Sequence, residues 1–244
     1  MKLVRPVPMW QQVADHMRDE ILKGTYTAGQ PLPSEEALAA EFGVSRPTIR
    51  EGIKTLVAEG LVEVSRPRGT IVRDPFGRPQ CTEQHTGSSV RRDDGWADAG
   101  ESAFYRANAT SDQAELLGIP VGEPLLVRAV IQQSNGLRRA IRLYLPFSVA
   151  GTTPWADDPH LPAARRLYRH FADAGMALTW TERVRARMPV GDETTDLEVP
   201  PGVPLLIVLR LAQAGHADGT SPAPLALEEI RHRADQIELA FALG

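Results

Sequence analysis

Cysteine is all but missing from this chain of 244 residues: Cys81 is the only one. One thiol builds neither an intrachain disulfide framework nor a thiolate metal site, and its scarcity suits a reducing cytoplasm. Cys81 reads as a free linker thiol rather than a redox sensor. Long apolar runs are missing too. No stretch of about 18 apolar residues occurs, so no membrane span is expected, and the opening MKLVRPVPMW has no apolar signal core. The histidines at 16, 85, 160, 170, 216 and 232 show neither H-x3-H nor H-E-x-x-H spacing. No metal site is therefore expected, and without a Gly-rich phosphate loop no cofactor is either. A net charge of −4 excludes a generally polybasic nucleic-acid coat protein.

What is present concentrates first in residues 34–73. Ser34 is a good N-cap, Glu35 and Glu36 suit the first turn of a helix dipole, and Gly43 supplies a left-handed stop. Leu38, Ala39 and Phe42 form an apolar stripe between them. Ser45 caps a second helix with Pro47 in its first turn, and Gly60 ends it. On that helix Arg46, Arg50 and Lys54 recur every fourth residue on one face, with Ile49, Ile53 and Leu56 on the other. LVEVS and TIVR then alternate like paired strands around Arg66-Pro67-Arg68-Gly69. Upstream, Trp10, Val13, Met17 and Ile21 mark another helix, closed by Gly24. Helix, short turn, helix with a basic face, and basic-tipped hairpin together suit a DNA major groove flanked by phosphates or the minor groove. Three basic residues alone more often make a solvated face. Residues 1–74 hold ten Lys/Arg against ten Asp/Glu, so the positive charge is local to 46–73, which suits specific binding.

The LPSE run, FGVSR-x-T-x-R, the L-x-x-EGL turn and RGT resemble the winged helix-turn-helix of GntR-family bacterial transcription regulators over about 60 residues. The resemblance implies DNA contacts at Ser45, Arg46, Thr48 and Arg50, with Arg68, Gly69 and Thr70 at the wing. Lys54 joins them from its place on the basic face. Glu36 departs from the pattern: many family members carry there a basic residue that helps read the operator.

Residues 75–100 break every period and read as a linker between a DNA-binding domain (1–74) and a second domain (101–244). The second domain contains a repeat. SDQAELLGIPVGEPLLV (111–127) and GDETTDLEVPPGVPLLI (191–207) share Asp, Leu, Pro, Gly, Pro, Leu and Leu at an offset of 80. Each copy reads as a short helix, a Pro/Gly turn and a buried strand. Each is followed by a polar turn (Ser134-Asn135-Gly136; His216-Ala217-Asp218-Gly219) and a second strand, AIRLYLPF or PLALEEIRHR. A helix near 162–174 and a strand near 177–187 lie between the copies. The fold class is α+β, with one pseudo-symmetric antiparallel sheet.

The two helix-Pro-Gly-strand units, the NG turn before a strand ending YLP (144–146), AGM (174–176) and Arg233-Ala234-Asp235 resemble the UTRA effector domain of the HutC subfamily. That resemblance implies a chorismate-lyase-like fold, a small-molecule pocket and a homodimer. Sugar-phosphate sensors of the subfamily carry carboxylates at the places of Ile141 and Ala226, and an aromatic at that of His232. The candidate effector anchors left are Arg128, Arg142, Glu228, Arg231 and His232, each a residue type more often ion-paired or packed than ligand-bound. An apolar ligand with at most one acidic group follows, or none. On a strand, Glu228 and His232 share one face and Arg231 takes the other. Three functions compete: a dimeric, cytoplasmic repressor released from an inverted-repeat operator by an effector; an enzyme, for which no set of nucleophile, base and oxyanion donor is visible; and an architectural DNA-binding protein without effector.

Overall fold

The structure is a computed structural model that describes residues 7–65, 67–74, 81–85 (backbone), 95–158, 160–215 and 222–241. Arg66, the Cys81 thiol and the turn at 216–219 lie outside the described residues. Two compact units emerge, one within 1–78 with 200–203, the other 79–199 with 204–244. Among the described residues no helix is long and apolar enough to cross a membrane.

In the first unit, α1 (Met9–Lys23) turns Val13, Ala14, Met17 and Ile21 inward and stops at Gly24, whose φ of 81° a side chain would resist. Trp10 continues the apolar spacing but stays 38% exposed, one turn beyond the core. The Ser34 Oγ accepts the Ala37 N–H at 3.1 Å and starts α2 (Glu35–Phe42). The Ser45 Oγ accepts the Thr48 N–H at 3.4 Å and starts α3 (Arg46–Ala58). Ile49, Ile53 and Leu56 close on Met17, Leu38, Val62 and Val72 in one core. The α1–α3 crossing is tight at Gly52: a Cβ there would lie 3.1 Å from Val13 Cγ1 and 3.2 Å from the Trp10 carbonyl oxygen. The hairpin pairs β1 (Val62–Ser65) with β2 (Gly69–Val72), Val62 against Val72 and Ser65 against Gly69.

The second unit begins inside the segment read as a linker. There β3 (Cys81–His85) pairs in parallel with β11 (Ile237–Phe241), and β4 (Ala97–Asp98) pairs with β6. The main sheet adds β5 (Ala103–Asn108), β6 (Pro124–Ser134), β7 (Leu137–Pro146), β8 (Ala177–Arg187), β9 (Leu205–Gly215) and β10 (Ala223–Arg233). β4 and β5 both pair with β6, and the order then runs β6-β7-β10-β9-β8, antiparallel throughout. Asn135 and Gly136, both at positive φ, make the tight turn that joins β6 to β7. The helices are α4 (Ser111–Leu117), α5 (Phe147–Ala150), α6 (Ala164–Asp173) and α7 (Glu193–Asp196). A capping box between Thr110 and Gln113 fixes the start of α4.

The repeat controls the pairing as well as the elements. Ala103 faces Ala129 across β5–β6, and Arg183 faces Leu209 across β8–β9, both members shifted by the same 80 residues. Arg142 faces Ala129, Glu229 faces Leu209, and Arg142 and Glu229 face each other. The pseudo-two-fold axis therefore passes between Arg142 and Glu229. One sheet face packs Leu126, Leu143, Leu145, Ala212 and Ala226 on Leu167, Tyr168 and Phe171 of α6. Further along it, Val130, Ile141, Val208 and Ile230 meet Leu239 of β11. The opposite face carries α4, which lies against β10.

Candidate nucleic-acid interface and ligand site

The outward face of α3 carries Arg46, Arg50 and Lys54, each side chain more than half exposed. At its N-terminus the Ser45 and Thr48 hydroxyls share a 2.8 Å hydrogen bond. Acidic neighbours hold the cations. Arg50 donates to both Glu35 oxygens, Nε at 3.1 Å and Nη2 at 2.7 Å. Arg46 stands 3.9 Å from Glu36, and Lys54 bonds Glu51 at 2.7 Å. The bond from Arg50 draws the Glu35 carboxyl below its ordinary range. Sequence reading assigned Glu35 only to the helix dipole; its guanidinium partner lies fifteen residues away, and only the packing of α2 against α3 brings them together. Such exposed pairs are weak and yield readily to a better acceptor. At the hairpin tip Arg68 is exposed and Gly69 sits at φ 88°. The Thr70 carbonyl is engaged by the Leu32 N–H at 2.7 Å. The hairpin and α3 share one core through Ile49, Leu56, Val62 and Val72.

In the second unit the five proposed anchors divide between the two sheet faces. Arg128 and Glu228 lie in one cross-strand row, Arg128–Leu143–Glu228–Arg210–Glu182. Arg128, Glu228 and Arg210 are buried, and Arg128 bonds Asp98 at 2.8 Å. His232 is 1% exposed and packs edge-on against Trp96, 5.9 Å between ring centres. Ile141 and Ala226 are buried in the cores of this same face.

Arg142 and Arg231 point the other way, into a cavity of about 510 Å³. Tyr144, Glu229, Arg185, Arg187 and Asp112 join them, over Ile207, Leu209 and Leu227. Arg142 and Arg231 also line a neighbouring space of about 220 Å³ with Glu193. The cavity is rich in charge, unlike the apolar pocket expected from Ile141 and Ala226, because those two residues belong to the other face. Arg185 grips Asp112 with two bonds of 2.6 and 2.9 Å, and Arg187 grips Glu193 with two of 2.6 and 2.7 Å. Arg231 reaches Glu193 and Glu229, each at 2.9 Å, and the Tyr144 hydroxyl donates to Glu229 at 3.1 Å. Burial, followed by the Glu229 charge, pushes the Tyr144 phenol upward. Glu229, Tyr144, Arg185, Arg187 and Asp112 escaped sequence reading. Their signal was the alternation of Arg183, Arg185 and Arg187 on a strand, together with a register no single strand reveals.

Hydrogen bonds from Arg187, against the opposing effect of burial, press the Glu193 carboxyl from 4.5 down to about 2. A depressed carboxylate stabilises the fold fully above its unfolded value, and that stability is lost as pH falls through the folded one. E193Q is therefore expected to cost up to about 3 kcal/mol at neutral pH. It should also flatten the fall in stability between pH 4.5 and about 2. Urea unfolding across that range measures it; an unchanged acid slope would show that the pair contributes nothing.

Comparison with known proteins matches these features. Residues 10–72 fit the family model for bacterial regulatory proteins, gntR family. An uncharacterised HTH-type transcriptional regulator of Rhizobium meliloti is 28% identical over 96% of this chain and 94% of its own. The HTH-type transcriptional repressor NagR of Bacillus subtilis is 25% identical over 84% of each chain. A crystal structure described as a GntR-family transcriptional regulator is similar at a TM-score of 0.66 and 26% identity, covering 97% of this chain and 98% of that one. With its capped recognition-type helix, its wing and an antiparallel-sheet domain following them in the chain, the protein carries a DNA-binding domain of the GntR family over residues 10–72 and is similar along most of its length to transcription regulators.

Proposed function

We propose that this regulator is a cytoplasmic homodimeric repressor that grips an inverted-repeat operator and lets go when a small molecule binds its second domain. The observation that carries the reading is α3: a helix capped by Ser45, backed by Ile49 and Leu56, and presenting Arg46, Arg50 and Lys54 to solvent. Ser45, Arg46, Thr48 and Arg50 read the major groove. Lys54 takes a phosphate, and Arg68, Gly69 and Thr70 place the wing on the backbone. A two-fold dimer mirrors its symmetry in the DNA, so two half-sites are expected. The named repressor function of NagR supports the direction of control. Neither catalysis nor a cofactor is part of this reading. Selection from randomised duplexes should return an inverted repeat, bound by two copies of the full chain as measured by analytical ultracentrifugation. A single half-site bound by one copy would overturn the dimer.

A further inference from the structure

The first turn of α2 holds two neighbouring acids with different commitments. Glu35 has a side chain 30% exposed and is clasped by two bonds from Arg50. Glu36 has a side chain 82% exposed, and its one ion partner among the described residues is Arg46, 3.9 Å away and beyond hydrogen-bond reach. The core of the unit takes Leu38, Ala39 and Phe42 from α2, so packing makes no use of Glu36. Arg46 is the first residue of α3. The Glu36 carboxylate therefore stands beside the end of a recognition helix that meets base edges.

An ionised carboxylate only accepts hydrogen bonds. Phosphates offer acceptors and negative charge, so an acid at a DNA surface is repelled unless a base edge donates to it. In the major groove the donors are the amino groups of cytosine N4 and adenine N6. Arg46 decides between them, because its fork fits the N7 and O6 acceptors of guanine. In a G·C pair the guanine O6 and the cytosine N4 are bonded to each other and lie side by side on the groove edge. A guanidinium and a carboxylate 3.9 Å apart thus match one base pair read from both strands. At an A·T pair the carboxylate would face the thymine O4 and the fork would meet the adenine amino group. We infer that Glu36 is a specificity-determining residue of the DNA interface, accepting a hydrogen bond from the cytosine N4 of the G·C pair whose guanine Arg46 reads. The inference rests on the proposed placement of α3 in the major groove. Glu36 lowers general affinity for DNA and raises discrimination, a repulsive element that serves specificity.

Selection from randomised duplexes with the full chain, its E36A variant and its R46A variant tests it. The parent should return one G·C pair per half-site whose preference both variants lose. At that pair E36A should lower the preference for G·C over A·T about 5–150-fold. Its affinity for a scrambled duplex should hold or rise, because a negative charge leaves the interface. Both side chains are more than half exposed, so both variants should melt as the parent does. A duplex carrying 2-pyrimidinone, a cytosine without its N4 amino group, opposite that guanine separates contact from positioning. The parent should bind it at least about fivefold more weakly than the natural duplex, and E36A should lose less than about twofold. The inference is overturned if E36A keeps the parent's preference at the pair, or if its loss falls at a position that R46A leaves intact. It is overturned equally if the parent loses nothing on the analogue. Equal losses for parent and E36A on the analogue would overturn it by making Glu36 a positioning residue for Arg46. A parent preference untouched by R46A would overturn the groove placement of Arg46 as well, whereas loss in R46A alone would overturn only the role of Glu36.

Discussion

Residues 1–75, produced without the rest of the chain, are expected to stay folded and to bind the operator roughly 10²–10⁴-fold more weakly than the full protein. The segment has what it needs to fold. Met17, Leu38, Ile49, Leu56, Val62 and Val72 close a core of their own, and Ser34, Gly43, Ser45 and Gly24 define its helix ends. The proposed DNA face on α3 and the wing also lies wholly within it. What it loses is the tether. If the second domain dimerises, one docked head holds the other at a high effective concentration near the second half-site, and removing that domain removes the gain without altering a single DNA contact. Fluorescence anisotropy on the full operator and on one half-site, at one fixed salt concentration, gives the ratio. A far-UV melt separates weak binding from unfolding. If the isolated head bound the full operator as tightly as the parent chain, the second domain would not be the source of bivalency. Control by ligand would then need another route, since a ligand releases DNA only by favouring an arrangement of heads that does not fit it.

The parts of the fold legible in the sequence are those decided by local chemistry. Ser34 and Ser45 cap because their hydroxyls meet an N–H three residues on, whatever surrounds them. The repeat at an offset of 80 was visible in Pro120, Gly122 and Leu125 and their counterparts Pro200, Gly202 and Leu205, and the strand registers keep that offset. The parts that stayed hidden depend on partners far along the chain. β3 is a pentapeptide with no apolar alternation, and it is a strand because β11, some 150 residues later, lies beside it. β5 is likewise held as an edge by β6. The candidate ligand site was half legible for the same reason. Arg142 and Arg231 stood out as cations on strands, but their shared face, and the separation of both from Arg128 and Glu228, follows from cross-strand pairing. Arg185 and Glu193 entered only with the packing of the second repeat.

On the operator, Arg46→Ala and Arg50→Ala are each expected to weaken binding about 5–150-fold, the range for losing a bidentate guanine contact. On a scrambled duplex of equal length the same changes should cost little. The two residues differ in what they leave behind. Arg50 is clasped by Glu35 through two bonds, so recognition must exchange a carboxylate for a base edge or share the guanidinium between them. Its removal also strands the Glu35 carboxylate beside the phosphates, and E35Q combined with R50A should recover part of the loss. Arg46 stands 3.9 Å from Glu36, a looser association that leaves its fork freer to turn. Lys54→Ala sets the contrast: a point charge on a phosphate weakens both duplexes alike and lowers the salt slope by about one. Anisotropy titrations of the four variants on both duplexes, at two salt concentrations, resolve these patterns. Equal losses on both duplexes for R46A and R50A would reassign the arginines to the phosphate backbone, and unchanged binding would remove them from the interface.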